Sequence, residues 1–208
     1  MTTNVYIDGF NLYYGCVKGT PCKWLDLEAF CRTLMPQEQI RTIHYFTARV
    51  SGRLDPSAPT RQNTYLRALA TLPSVEVHFG SFLTNNVWML LANPPLRGPR
   101  KAQVVKTEEK GSDVNLAATL LMDGFRRAAD TVVIVSNDSD LTEPVRLARY
   151  ELGLRVGVIN PHPANKRSLT LSREAHFFKQ IRPAAVRSSQ FPPTLVDATG
   201  TFHKPTSW

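Results

Sequence analysis

Four consecutive β-branched apolar residues, Val132 to Val135, run directly into the polar stretch Ser136-Asn137-Asp138-Ser139-Asp140, and these nine residues constrain the chain more than any others. Branching at Cβ disfavours a helix and suits a pleated surface, and an unbroken apolar run fits a strand buried on both faces of a parallel sheet. The polar run marks where that strand surfaces, so two carboxylates sit at its C-terminal end. In open α/β sheets ligands bind beyond the carboxyl ends of the strands, which makes this the expected place for chemistry. A purely structural role competes for Asp140. The segment Asp140-Leu-Thr-Glu143-Pro144 reads as a helix start, with Asp140 as N-cap, Glu143 closing a capping box and Pro144 in the first turn. Capping accounts for Asp140 and leaves Asp138 unexplained.

Two further segments deliver carboxylates in the same manner. Asn4-Val5-Tyr6-Ile7-Asp8 is a strand pattern ending in Asp8, with Asn11 three residues on. Lys110-Gly111-Ser112-Asp113 precedes a helical pattern through Leu121, which predicts Ser112 as cap and Asp113 in the first turn, near the positive end of the helix. One such aspartate is ordinary punctuation. Several at strand and helix ends are the usual way a sheet assembles a divalent-metal site from hard oxygen ligands.

The blocks Ile7-Asp8-Gly9-Phe10-Asn11-Leu12, Glu109-Lys110-Gly111-Ser112-Asp113-Val114 and Val135-Ser136-Asn137-Asp138-Ser139-Asp140-Leu141 resemble, in order and separation, the three signature blocks of NYN-domain proteins, a branch of the PIN-like nucleases. The resemblance spans about residues 4 to 160. It implies a three-layer α/β domain with a central, mainly parallel sheet and a metal-dependent nuclease activity using Mg²⁺ or Mn²⁺. It also implies Asp8, Asp113 and Asp138 as the main metal and catalytic carboxylates, with Asp140 as a direct or water-mediated partner. Asn11 would orient Asp8 or contact the scissile phosphate, Ser136 would hydrogen-bond a carboxylate, and Lys110 would touch a phosphate or offset local negative charge. Hydrolysis leaving a 5′-phosphate and a 3′-hydroxyl, most often on RNA, completes the implication. The chain departs from the commoner family pattern at Asn137 (usually Gly), Leu141 (often Phe) and Thr119, where many members carry a further Asp.

A formal net charge of +8 favours polyanionic partners, and it surrounds the expected acidic site with a basic surface. Between Arg97 and Lys110 five basic residues, among them Arg100, Lys101 and Lys106, stand against two acids, and Lys166 to Arg187 carries six against one. Arg97, Arg100, Lys101, Lys106, Lys166 and Arg167 are therefore the expected nucleic-acid contacts. RNA is favoured over DNA by the resemblance alone, because nothing in the side chains reads a 2′-hydroxyl. Met-Thr-Thr-Asn leads straight into a strand without the regions of a signal peptide, and the longest apolar run, Leu116 to Met122, is too short to span a bilayer. A cytoplasmic protein with no membrane partner is expected, and a homodimer stays compatible with the sequence. Cys16, Cys22 and Cys31 form no CxxC and are odd in number, so buried or half-buried thiols are expected rather than a disulfide framework or structural zinc.

Along the chain, Gly9 to Val17 reads as a turn and short helix, Trp24 to Leu34 as a helix, Ile40 to Val50 as a strand and Ser51 to Pro59 as a loop. Tyr65 to Leu72 reads as a helix and Val75 to Phe79 as a strand, with His78 a half-exposed strand residue rather than a ligand. Asn93 to Pro99 makes a loop or hairpin tip, and Lys101 to Thr107 a strand returning basic charge toward the Asp113 helix. That helix, to about Arg127, turns Leu116, Ala117, Leu120, Leu121 and Phe125 to the core. Asp123 lies about 15 Å beyond Asp113 along its axis, too far to share an ion, and is expected to make a surface or helix-end contact. Val145 to Leu152 is a helix, Arg155 to Ile159 a buried strand, and Leu169 to Ile181 can be helical. Residues 1–182 are read as the nuclease domain and 183–208 as an irregular tail, laid on it through Phe191, Leu195 and Trp208.

Three other functions compete with an endonucleolytic ribonuclease. A nucleic-acid-binding module without catalysis would need the basic rim but not four aspartates at element ends. A phosphatase with an aspartyl nucleophile commonly needs a second Asp where this chain has Phe10. A P-loop NTPase needs GxxxxGK[ST], which is absent.

Overall fold

The computed structural model describes residues 1–53 and 55–208. Strand β1 (Thr2–Asp8) feeds helix α1 (Gly9–Leu12) and a π-helical turn, Tyr13–Val17; α2 (Leu27–Leu34), β2 (Gln39–Ala48) and α3 (Ala58–Leu69) follow. Next come the long strands β3 (Val75–Leu90) and β4 (Lys101–Lys110), then α4 (Ser112–Phe125), β5 (Thr131–Val135), α5 (Thr142–Tyr150) and β6 (Arg155–Asn160). The chain finishes with α6 (Leu169–Glu174), β7 (Phe177–Gln180), α7 (Pro183–Ser188) and the hairpin β8 (Thr194–Asp197) with β9 (Gly200–His203).

The seven-stranded sheet has the order β4-β3-β2-β1-β5-β6-β7. Its pairings are parallel except β3 with β4. From β1 the chain winds outward through β2 and β3, and from β5 it winds the other way through β6 and β7. The direction therefore reverses between β1 and β5, the place where such sheets leave a crevice at their carboxyl ends. This is the expected three-layer α/β arrangement, with the strands ending at Asp8 and Ser136 adjacent and central.

Alternation along β1 and β5 sorts the core. Val5, Ile7, Val133 and Val135 face Leu27 and Phe30 of α2, while Tyr6, Val132 and Ile134 face Leu116 and Leu120 of α4 and Val145 of α5. Each fully buried aliphatic side chain contributes roughly 1.5–3 kcal/mol relative to exposure, so the two central strands are held firmly from both sides. Phe125 departs from expectation: it is the last residue of α4 and is 69% exposed.

The helix expected through Ile181 stops at Glu174. Ala175 turns to an extended backbone, and His176 pairs with β6, its N–H donating to Val156 O at 2.8 Å and its Nδ1 accepting Val156 N–H at 3.0 Å. Phe177 and Phe178 then join the sheet. Past Pro183 the chain is not irregular: α7 and the β8–β9 hairpin lie on the α2 side, where Trp24 packs against Phe191, Phe202 and Trp208. Trp24 Nε1 donates to Pro192 O at 2.8 Å, and Arg67 holds Asp197 through two contacts of 2.7 Å. Among the described residues no helix is long and apolar enough to cross a membrane, and the three cysteines are free.

Candidate active site

Register brings the first two aspartate segments together. Ile7 pairs with Val135, so Asp8 and Ser136 leave the sheet side by side. Asp8 is 5% exposed and caps α1, its Oδ1 accepting Asn11 N–H at 2.9 Å. Its Oδ2 accepts the Ser136 hydroxyl at 3.0 Å, and Ser136 Oγ in turn accepts Asp138 N–H at 3.1 Å. Asn11 Oδ1 accepts Asn137 N–H at 2.9 Å, so the two loops are stitched across the crevice. Gly9 permits this: a Cβ there would lie 2.6 Å from Phe46 O, a clash no side chain avoids.

Asp138, not Asp140, is the cap after β5. Its Oδ1 accepts Asp140 N–H at 3.0 Å and starts the short 3₁₀ turn Ser139–Leu141 that leads into α5. Asp140 lies inside that turn, exposed, and Glu143 pairs with Arg146 instead of closing a capping box. The reason is the 3₁₀ turn itself, which places the helix start later than the apolar pattern implies. Ser112 is likewise not a cap. Gly111 takes the cap position at φ 95°, and Glu109 satisfies the helix start, accepting Ser112 N–H at 3.1 Å and its hydroxyl at 2.6 Å.

Asp113 stands in the first turn of α4 as expected. Burial raises its carboxyl above the usual range, helped by repulsion from Asp138, Glu109 and Asp140. Burial likewise pushes Asp8 up to about 6, with Asp113 and Asp138 adding to the rise and the Asn11 and Ser136 hydrogen bonds opposing it. Asp8 thus feels the charge of Asp113 and Asp138, and Asp113 that of Asp138 and Asp140. The four aspartates do not form a preformed three-carboxylate cage, because the only three His, Cys, Asp or Glu donors within 4.8 Å of one another among the described residues are His44, Glu76 and His78. An all-oxygen donor set of separated carboxylates fits a hard ion that keeps several of its waters, as Mg²⁺ does.

The basic residues divide into two groups. Asn137 Nδ2 donates to Lys166 O at 2.8 Å and Asn137 Oδ1 accepts Ser168 N–H at 2.7 Å, which ties the Lys166–Arg167 loop to the site. Lys110 and Lys106 both pair with Glu108, at 3.3 and 2.5 Å. Arg97, Arg100 and Lys101 are not at the rim. Leu90 pairs with Lys101 and Ser81 with Lys110, which sets the hairpin tip roughly 30 Å along the strands from the start of α4. The β3–β4 hairpin is an arm on which Leu83, Trp88 and Leu90 are all exposed.

On the other flank of α1, a cavity of about 320 Å³ is lined by Tyr13, Tyr14, Tyr45, Tyr65, Arg61 and Trp208, among others. Arg61 is held by Asp55 at 2.5 Å, and Lys18 lies over the exposed Tyr14 ring at 4.6 Å.

The NYN domain profile matches residues 2–181. The chain belongs to the NYN domain family. It is also 32% identical, over 237 aligned positions covering 100% of this chain and 75% of the relative, to 6-hydroxy-3-succinoylpyridine 3-monooxygenase HspA of Pseudomonas putida. A crystal structure of a protein of unknown function from Vibrio parahaemolyticus shares the fold, with a TM-score of 0.59, 18% identity, and 87% of this chain and 93% of that one covered.

The contacts of three residues of this NYN domain were not readable from the sequence. Asn137 uses its side chain as a loop tether, while Glu109 holds the start of α4. Asp123, expected at the surface, accepts Tyr6 Oη–H at 2.8 Å and lies 3.2 Å from His44 Nε2. It faces inward because Asn4, Tyr6 and His44 share the sheet face beneath α4, an arrangement that only strand register reveals.

Proposed function

We propose that this NYN domain is a metal-dependent nuclease, an endonuclease with RNA as its preferred substrate, acting at Asp8, Asp113, Asp138 and Asp140. The observation that carries the reading is the Asp8–Ser136–Asp138 linkage at the sheet's reversal point, facing Asp113 across the crevice. Mg²⁺ or Mn²⁺ at these carboxylates supplies the charge that activates a water and stabilises the phosphoryl oxygens. The chain's own residues prepare that site. Asn11 N–H and Ser136 Oγ favour the ionised form of Asp8 against its burial. With the Asn11 carbonyl oxygen engaged by Asn137, the amide nitrogen end of Asn11 is left to face an anionic substrate. Lys166 and Arg167, tethered by Asn137, hold the phosphate backbone near the scissile bond, and the hairpin arm engages longer substrates further out. The test is product chemistry. Labelled RNA and single-stranded DNA incubated with Mg²⁺ or Mn²⁺ are expected to yield ends with a 5′-phosphate and a 3′-hydroxyl, with RNA cut faster and EDTA stopping both. Ends with a 2′,3′-cyclic phosphate would contradict a metal-activated water.

A second reading rests on the Pseudomonas relative, whose name assigns it a monooxygenase reaction on a pyridine, and on the aromatic cavity beside α1. Its size and its tyrosine and arginine lining suit a small aromatic acid. Substrate-dependent O₂ and NADH consumption with hydroxypyridine acids is the observation this reading requires.

A further inference from the structure

The sheet face under α4 holds a second constellation, made by strand register. His44 on β2 pairs with Glu76 on β3, and Phe46 with His78, so His44, Glu76 and His78 share one face across two strands. His44 Nδ1 lies 3.0 Å from His78 Nε2 and 3.4 Å from Glu76 Oε2, and His78 Nε2 lies 4.0 Å from that same oxygen. Two donors each about 2.1 Å from a tetrahedral ion stand roughly 3.4 Å apart, so this triangle already has the dimensions of three ligands around one centre.

The surroundings supply what a ligating imidazole needs. The far nitrogen of His44, Nε2, lies 3.2 Å from Asp123 Oδ2, off the line of a hydrogen bond but close enough for charge attraction. A carboxylate behind a metal-bound histidine is the usual partner that fixes its ring and raises its basicity. Asp123 is itself held by Tyr6 Oη–H at 2.8 Å and Asn4 Nδ2 at 3.4 Å. Ring stacking fixes both imidazoles, Tyr6 on His44 at 5.1 Å and Phe46 on His78 at 4.7 Å. Burial lowers the pKa of each histidine, which keeps their lone pairs available at neutral pH. His44 is 6% exposed, whereas the side chains of Glu76 and His78 are 61% and 30% exposed, so an ion has a route in and keeps positions open to water. Stability gives little reason for burying His44 here, since apolar groups of the same shape are nearly neutral replacements for a polar pair.

We infer that the chain carries a second cation site, for a divalent first-row transition ion such as Zn²⁺ or Fe²⁺, built from His44 Nδ1, His78 Nε2 and Glu76 Oε2. Two imidazoles and one carboxylate with open positions are borderline donors that suit these ions better than Mg²⁺. The site is distinct from the aspartate site, because Asp113 and Asp123 are separated by about 15 Å along α4. The ion displaces the proton that otherwise lies between His44 Nδ1 and His78 Nε2.

The test is metal binding by the full, tag-free chain after chelator treatment, with Zn²⁺ added in one arm, Fe²⁺ under anaerobic conditions in another and Co²⁺ as a spectroscopic probe. With Mg²⁺ in excess to occupy the aspartates, one transition ion per chain is expected, with a Co²⁺ ligand-field band in the visible. Glu76→Gln, at an exposed position, and His78→Gln, at a half-buried one, are expected to weaken binding at least tenfold, and Glu76→Gln is expected to leave the thermal melt of the metal-free protein unchanged. Asp123→Asn is expected to weaken it about 10–100-fold. Asp8→Asn and Asp138→Asn are expected to leave it intact. The inference is overturned if the wild-type chain binds neither Zn²⁺ nor Fe²⁺, if binding survives both Glu76→Gln and His78→Gln, or if it is lost in Asp138→Asn. The readout needs no substrate, so it stands or falls apart from nuclease activity.

Discussion

The hydroxyl of Ser136 donates to Asp8 Oδ2 at 3.0 Å while accepting Asp138 N–H at 3.1 Å, so one side chain fixes a carboxylate on each of two neighbouring strand ends. A hydrogen bond to a charged group contributes about 1.5–3 kcal/mol. Ser136→Ala is therefore expected to raise the Asp8 pKa further and to weaken Mn²⁺ binding about tenfold at pH 7. The pH midpoint of binding should move upward. Calorimetric Mn²⁺ titrations between pH 6 and 8 check this, and an unchanged affinity would show that Asp8 is not a ligand.

Asp8 also makes stability depend on pH in a defined direction. Its pKa in the fold is raised from 3.8 to about 6, so the folded state holds this proton more tightly than the unfolded chain. That contribution is fully present below about pH 4 and is lost as pH rises through about 6, leaving the ionised group as a cost at neutral pH. At 1.36 kcal/mol per unit the cost approaches 3 kcal/mol. Metal-free Asp8→Asn is expected to be more stable than wild type at pH 7.5 by about 1–3 kcal/mol, with the difference vanishing near pH 4. Denaturant melts in EDTA at the two values decide it, and equal destabilisation at both would contradict the assignment.

Asn137→Gly removes two hydrogen bonds to the Lys166–Ser168 loop. At about 0.5–1.5 kcal/mol each, their loss should loosen nucleic-acid binding by at most about five- to 150-fold while sparing Mn²⁺ affinity. Fluorescence anisotropy with a labelled oligonucleotide measures the first and calorimetry the second. Equal binding by both proteins would remove the loop from the interface.

The two basic groups should separate by substrate length. Reversing Lys166 and Arg167 is expected to weaken binding of every oligonucleotide and to flatten its salt dependence. Reversing Arg100 and Lys101, roughly 30 Å out on the hairpin arm, should affect only substrates long enough to reach the tip. Binding that does not change with salt would point to a different partner.

Strand-ending aspartates were legible because a buried parallel strand announces itself as an unbroken β-branched run, so Val132 to Val135 located both the sheet and its functional end. Caps were less legible. Asp140 and Ser112 occupy the usual sequence positions, but a 3₁₀ turn and a left-handed Gly111 shift the start of each helix by one or two residues and hand the role to Asp138 and Glu109. The end of α6 was hidden because Leu169 to Ile181 has apolar spacing compatible with a helix, and the decision falls to the open edge of β6. Least legible of all was the His44, Glu76 and His78 triangle. Glu76 and His78 show only an alternating strand pattern, and their partner lies 32 residues earlier than Glu76, brought into reach by register alone.

The central claim is that the aspartates at the reversal of the sheet bind the ion that cuts nucleic acid, and Asp138→Asn tests it most directly. The substitution keeps shape and capping ability, since Asn caps about as well as Asp, and removes one negative charge. Mn²⁺ affinity and cleavage of labelled RNA are measured side by side for wild type and variant, with oligonucleotide binding as the control for folding. The account predicts that wild type cleaves with Mg²⁺ or Mn²⁺ and that Asp138→Asn loses metal affinity and cleavage together while still binding the oligonucleotide. Cleavage by Asp138→Asn at the wild-type rate, or no cleavage by wild type across structured and single-stranded substrates, would contradict it.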